Sequence, residues 1–241
     1  MTWKTAVNAS ESYRRTSSMM RLFLALLAIT WSSAASAQRA PTDPWEADIA
    51  RFEAADQANP PKPGAALFIG SSSIRFWESL QDDFPGVRLI RRGFGGSEVR
   101  DATRFAGRIV VPYRPRLVVL YAGDNDLAAG RTPMQVRDDV AAFAARVRRD
   151  LPDATLAYIA IKPSPARASL LDAAREANTL VAAWAKTQPH THYIDVFTPM
   201  LDADGRARED LFGPDRLHMN RAGYRIWIER IAPFLDTKPS G

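Results

Sequence analysis

The chain has 241 residues, 46% of them hydrophobic, and a formal charge of +5. That balance suits one well-cored domain and excludes a disordered chain. It holds no cysteine, which excludes thiol nucleophiles, thiolate metal sites, disulfides and lipid anchors on cysteine.

The N-terminal part reads differently from the rest. "MRLFLALLAITW" places a basic residue before a short apolar run, and "SSAASAQ" follows with Ala35 and Ala37 spaced as an A-x-A cleavage site. This is the anatomy of a secretory signal peptide over residues 1–37. The apolar run is too short to span a bilayer comfortably. Met19 and Met20 stand as alternative starts. Residues 1–37 carry four basic residues and one acidic one, so the remainder holds 28 basic against 26 acidic residues, a charge of +2. The basic surplus belongs mostly to the leader and gives no reason to expect a nucleic-acid partner. The mature chain is expected to be exported, periplasmic or secreted, without stable membrane insertion.

Residues 38–64 read as an N-terminal helix and linker. Trp45, Ile49, Phe52 and Ala55 recur at helical spacing before the proline-rich "NPPKPG". From residue 65 to 241 strands and helices alternate. "AALFIG" (65–70) predicts a first strand and "SIRFWESL" a short helix. "VRLIR" (87–91) predicts a second strand, and "SEVRDATRFAGRIVVP" a helix. "RLVVLY" (116–121) predicts a third strand, apolar throughout as in a strand covered on both faces. A helix follows over "TPMQVRDDVAAFAARVRRD", with a capping box from Thr132 to Gln135 and Pro133 at its first position. "TLAYIAI" (155–161) predicts a fourth strand, "SLLDAAREANTLVAAWAKTQ" a helix, "HYIDVF" (192–197) a fifth strand, and "NRAGYRIWIERIAPFL" the closing helix. The pattern predicts an α/β fold: a three-layer α/β/α sandwich around a five-stranded parallel sheet. Ligands in this class bind beyond the C-terminal ends of the strands.

Those ends carry the chemistry. "GSSS" follows the first strand, "RRGFGGSE" the second, "AGDND" the third, and "PDRLHMN" comes after the fifth. A strand-to-helix turn presents a serine hydroxyl beside free backbone amides; the same serines also suit a helix cap. His190 and His192 precede the fifth strand, at the opposite edge, and read as surface residues. His218 lies on the correct edge, three residues after Asp215, so the carboxylate can reach the imidazole and fix its tautomer. A loop histidine beside a helix-capping aspartate has the same sequence. "GFGGSE" places Glu98 where a dinucleotide fingerprint needs its last glycine, and it follows the wrong strand, so close backbone approach to a ligand is the better reading. Asn125 offers either a side-chain amide donor or an Asx turn. Arg75, Arg92 and Lys162 lie near this edge as possible contacts to a polar leaving group or as ordinary structural charges.

Taken in order, "FIGSSS", "GFGGS", "GDND" and "DRLHMN" resemble the sequence blocks of the SGNH, or GDSL-like, hydrolase family. The resemblance runs from residue 68 to 220 and implies a flavodoxin-like SGNH hydrolase fold. It implies Ser72 as nucleophile, counted from Gly70, with His218 and Asp215 completing a catalytic triad. It implies an oxyanion hole from Ser72, Gly96 and Asn125, with neither metal nor cofactor. The sequence departs from the family at Ser71, where the block carries Asp, and at Arg91, where many relatives carry Asn. The implied activity is a serine esterase acting on carboxylic esters, with short-acyl or acetyl esters of small molecules or saccharides favoured by the short post-strand loops. Two other readings stay open. Asp124, Asp126, Asp215 and His218 would suit a metal-dependent phosphoesterase, and a non-catalytic carbohydrate- or envelope-binding protein would need none of these residues for chemistry.

Overall fold

The computed structural model describes residues 43–235. The expected leader, residues 1–37, lies outside the described residues. One compact unit begins at Pro44, so the helix expected before residue 64 belongs to the same unit as the sheet. That helix is α1, Glu46–Ala58.

Five strands form the sheet: β1 Ala66–Gly70, β2 Leu89–Gly93, β3 Leu117–Tyr121, β4 Thr155–Ile159 and β5 Thr191–Ile194. They lie in the order β2-β1-β3-β4-β5 and every neighbouring pair is parallel. Every residue of the inner strands β1 and β3 is buried, which accounts for their unbroken apolar runs; β4 is the third inner strand. The crossovers carry α4 (Val99–Ile109), α6 (Pro133–Asp150) and α7 (Leu171–Lys186). Trp77, Tyr224 and Trp227 interlock beneath the closing helix α8, Arg221–Leu235, with Trp227 tilted on Tyr121 at 4.7 Å between ring centroids. α1 is clamped onto α4 by Arg108, whose guanidinium meets Glu46 at 2.8 Å and Glu53 at 2.6 Å.

The order matters for function. From β1 the chain moves outward to β2, then returns past β1 to β3. Strand order reverses between β1 and β3, and that switch point opens a crevice at their C-terminal ends. At the end of β1, Gly70 takes φ +147°. A Cβ there would lie 1.8 Å from the Tyr121 carbonyl oxygen. The chain is gripped from both sides: Ser71 N–H donates to Tyr121 O at 3.1 Å, and Phe94 N–H donates to Gly70 O at 2.9 Å. Only glycine passes through this gap, and the chain then turns straight into α2.

Several boundaries differ from the sequence expectation. "SIRFWESL" is split into α2, Ser72–Arg75, and α3, Leu80–Asp83. Asp83 explains the break, because its carboxylate accepts from Trp77 Nε1, Ser79 Oγ and Arg221 and turns the chain between the two pieces. β2 runs two residues later than expected, since Gly93 pairs in register with Gly70. β5 begins at Thr191 and stops at Ile194; Asp195 Oδ1 accepts from Thr198 N–H and turns the chain out of the sheet. "DNDLA", expected as loop, forms a fifth helix, α5, Asp124–Ala128. The capping box of α6 forms as its sequence predicts, with Thr132 and Gln135 exchanging bonds of 3.2 and 2.9 Å.

Candidate active site

The three consecutive serines have different surroundings. Ser71 and Ser73 are buried, whereas Ser72 is partly exposed at the first position of α2. Ser72 Oγ lies 2.9 Å from His218 Nε2. The other ring nitrogen, Nδ1, lies 2.5 Å from Asp215 Oδ2. The Nδ1 proton is therefore directed at the carboxylate, which leaves the Nε2 lone pair facing the hydroxyl.

A tight loop holds that pair. Gly213 N–H donates to His218 O at 2.8 Å and Arg216 N–H to Gly213 O at 2.9 Å. Asp215 Oδ1 accepts from the N–H groups of Leu217 (3.0 Å) and His218 (2.9 Å). These two amides, Leu217 foremost, together with the imidazole, hold the Asp215 carboxyl down at about 2. It is a carboxylate throughout the neutral range. Asn220 locks the loop to α8: its Oδ1 accepts from Ala222 N–H and its Nδ2 donates to the Asp210 and Phe212 carbonyls. The Phe76 ring meets the imidazole edge-on, with centroids 4.9 Å apart, and is itself 49% exposed.

Gly96 and Asn125 sit together on the same rim. Gly96 adopts φ +78°, a conformation that favours glycine. Asn125 Nδ2 donates to the carbonyl of the next residue after Gly96, Ser97, at 3.0 Å. Asp126 ties the same stretch down, accepting from Val99 N–H at 3.0 Å. Burial pushes the Asp126 carboxyl up to about 6 in spite of that bond. Among the described residues, the N–H groups of Ser72 and Gly96 have no hydrogen-bond acceptor. Trp45, beside α1, steadies the loop from beneath, its indole donating to Gly95 O at 2.9 Å.

The three cations named from sequence go to different places. Arg92 is buried and pairs with Asp56 at 2.5 Å, and Lys162 is buried and pairs with Asp124 at 3.0 Å; both are structural. Arg75 is exposed beside Phe76, with its guanidinium 3.9 Å from Asp48. Arg91 donates to Trp77 O at 2.7 Å and so serves the α2–α3 turn. The residue that sequence reasoning overlooks is Arg167, whose guanidinium bonds both Asp124 and Asn125. Its only signal is its position after the fourth strand. Asp124 is thus already engaged by Lys162 and Arg167, and among the described residues no group of three or more His, Asp or Glu side chains is gathered to hold a metal ion. His192 falls inside β5 rather than before it and meets Phe234 with ring centroids 5.2 Å apart, far along the sheet from the rim.

Fold and rim together define a class: a parallel α/β/α hydrolase fold whose Ser, Gly and Asn blocks follow β1, β2 and β3 and whose Asp-x-x-His block comes after β5. The chain belongs to the GDSL-like lipase/acylhydrolase family, whose family model matches residues 69–226. A GDSL-like lipase from Bacteroides thetaiotaomicron superposes with a TM-score of 0.67 at 21% identity, covering 79% of this chain and 98% of that one. A member of the lipolytic G-D-S-L family from Veillonella parvula gives 0.58 at 18%, covering 70% and 96%. A catalytic mutant of an acetylxylan esterase from Geobacillus stearothermophilus gives 0.57 at 12%, covering 74% and 96%. At these identities the likeness is one of fold. No curated protein matches the chain in sequence.

Proposed function

We propose that this protein hydrolyses carboxylic esters through a covalent acyl-enzyme on Ser72. The observation that carries the reading is the unbroken chain of contacts from Ser72 Oγ to His218 (2.9 Å) to Asp215 (2.5 Å). His218 Nε2 takes the hydroxyl proton as Ser72 Oγ bonds to the ester carbonyl carbon. The carbonyl electrons move onto oxygen, and that oxyanion is met by the N–H groups of Ser72 and Gly96 and by Asn125 Nδ2. The intermediate collapses, the C–O bond to the alcohol breaks, and His218 returns its proton to the leaving alkoxide. Water then repeats the sequence on the acyl-enzyme, releasing the acid and restoring Ser72. Asp215, ionised and fixed by two amides, holds the ring and stabilises the imidazolium that forms in both halves.

The substrate is a short-acyl ester, an acetyl ester foremost. Among the described residues the post-strand loops carry no inserted lid domain. The fold is shared with an acetylxylan esterase, and an exposed aromatic, Phe76, borders the nucleophile. The leader-like residues 1–37 support export, which places saccharide or cell-wall esters within reach. Fluorophosphonate labelling followed by peptide mass spectrometry tests the reading: a single adduct on Ser72 is expected. An unlabelled protein, or an adduct elsewhere, overturns it.

A further inference from the structure

We propose that Arg167 is a positioning residue for the oxyanion site, acting through Asn125. The inference rests on the function proposed above and assigns a role to a side chain outside the Ser, Gly, Asn and Asp-x-x-His blocks.

An asparagine amide can sit either way round, and only one way offers a donor to an oxyanion. Here both ends of the Asn125 side chain are fixed. Nδ2 donates to Ser97 O, which can only accept. Oδ1 accepts from Arg167 Nη2 at 2.9 Å, which can only donate. With one amide hydrogen committed to Ser97, the second is left for a ligand. A charged donor on the amide oxygen also draws electron density from its nitrogen, so the remaining N–H becomes a stronger donor.

The guanidinium is itself held in place. Its other terminal nitrogen bonds Asp124, and Asp124 Oδ2 accepts from the buried Lys162 at 3.0 Å. Burial alone would raise the Asp124 carboxyl, but the charges of Lys162 and Arg167 hold it below the ordinary carboxylate value. The backbone of the same segment reaches the base: Ala166 N–H donates to Arg216 O at 3.0 Å, between Asp215 and His218. One short stretch after β4 therefore touches both the histidine loop and the amide, and its arginine fork spans Asp124 and Asn125 with two parallel donors. Lysine, a point charge, cannot occupy both.

The test is a mutant cycle on 4-nitrophenyl acetate, with thermal unfolding of every variant. Arg167→Gln is expected to lower kcat about 10- to 100-fold, the range for losing a charged hydrogen bond in a reacting site, with KM within about twofold. Arg167→Lys retains the charge beside Asp124 and is expected to keep the melting temperature while recovering little of kcat, which separates positioning from folding. In an Asn125→Ala background, Arg167→Gln is expected to cost nothing further. If Arg167→Gln leaves kcat intact, or multiplies the Asn125→Ala loss in full, Arg167 does not act through Asn125. If Asn125→Ala itself is fully active, the oxyanion assignment fails, and this inference with it.

Discussion

At the scale of single residues, the distinction among three adjacent serines is made by burial and reach. Ser71 holds the N-cap position of α2 and is buried, Ser73 is buried in the core, and Ser72 alone meets an imidazole. Ser72→Ala and His218→Ala should each remove nearly all turnover of an acetyl ester, since nucleophile and base fail as a unit. Ser71→Ala and Ser73→Ala should retain most of it. Turnover surviving Ser72→Ala but lost with either neighbour would reassign the nucleophile. Asp215→Asn is a subtler change. It keeps the side-chain shape but removes the charge facing Nδ1, and an amide nitrogen turned toward the ring would favour the wrong tautomer. A loss of about 10²–10⁴ in kcat is expected. These residues are legible in the sequence because each block lies within a few positions of a strand end, where local spacing limits the choices. Arg167 is not, because nothing local marks it. Its significance arises only when residues 42 positions apart meet.

At the scale of elements, the site depends on how sharply β1 ends. Gly70→Ala would place a methyl 1.8 Å from the Tyr121 carbonyl oxygen in a strand that cannot retreat. Overpacking usually costs about 1–3 kcal/mol; against buried backbone at this distance the loss should exceed that range and take activity with it. Gly86 is the control. It also has positive φ (+81°), but nothing lies within 4 Å of a Cβ there, so Gly86→Ala should cost only the left-handed strain, roughly 1–2 kcal/mol. Denaturant unfolding of the two variants separates close approach from backbone strain, and equal losses would mean that the β1 exit is not a tight passage. The same elements show what periodicity reads well and badly. β1 and β3 are plain because burial on both faces writes a continuous apolar run. The end of β2 reads two residues short because it is set by partners on β1, and "RRG" carries no apolar signal of its own. The break between α2 and α3 is invisible in sequence because Asp83 acts through Arg221, 138 residues later. α5 escapes notice because "DNDLA" is short and polar. Its two aspartates are buried because Lys162, Arg167 and the Val99 amide serve them.

At the scale of the whole molecule, one buried carboxylate couples stability to pH. Asp126 is fully buried and pushed up to about 6 from an ordinary value of 3.8. A carboxyl raised in the folded state binds its proton more tightly there than in the unfolded chain. Its contribution to stability is therefore complete below 3.8 and is lost as pH rises through 6. A rise of that size corresponds to roughly 3 kcal/mol over the whole window. Asp83 and Asp215 work in the opposite sense. Both are held down at about 2, so their stabilisation is present above 3.8 and fades only as pH falls toward 2. Between about pH 5 and 7 these two are already ionised in either state, and Asp126 is the one of the three whose proton count still changes on unfolding. Asp126→Asn retains an oxygen to accept the Val99 N–H and removes the charge. Wild type should thus lose stability relative to this variant by about 1.3 kcal/mol from about pH 5 to 7, read as the difference between two denaturant midpoint curves across that range. A difference that stays constant with pH would show that the Asp126 carboxyl is not carried upward by burial. The cost of keeping that charge behind the Gly96–Asn125 rim would then have to be met by solvent, which this closed position does not admit.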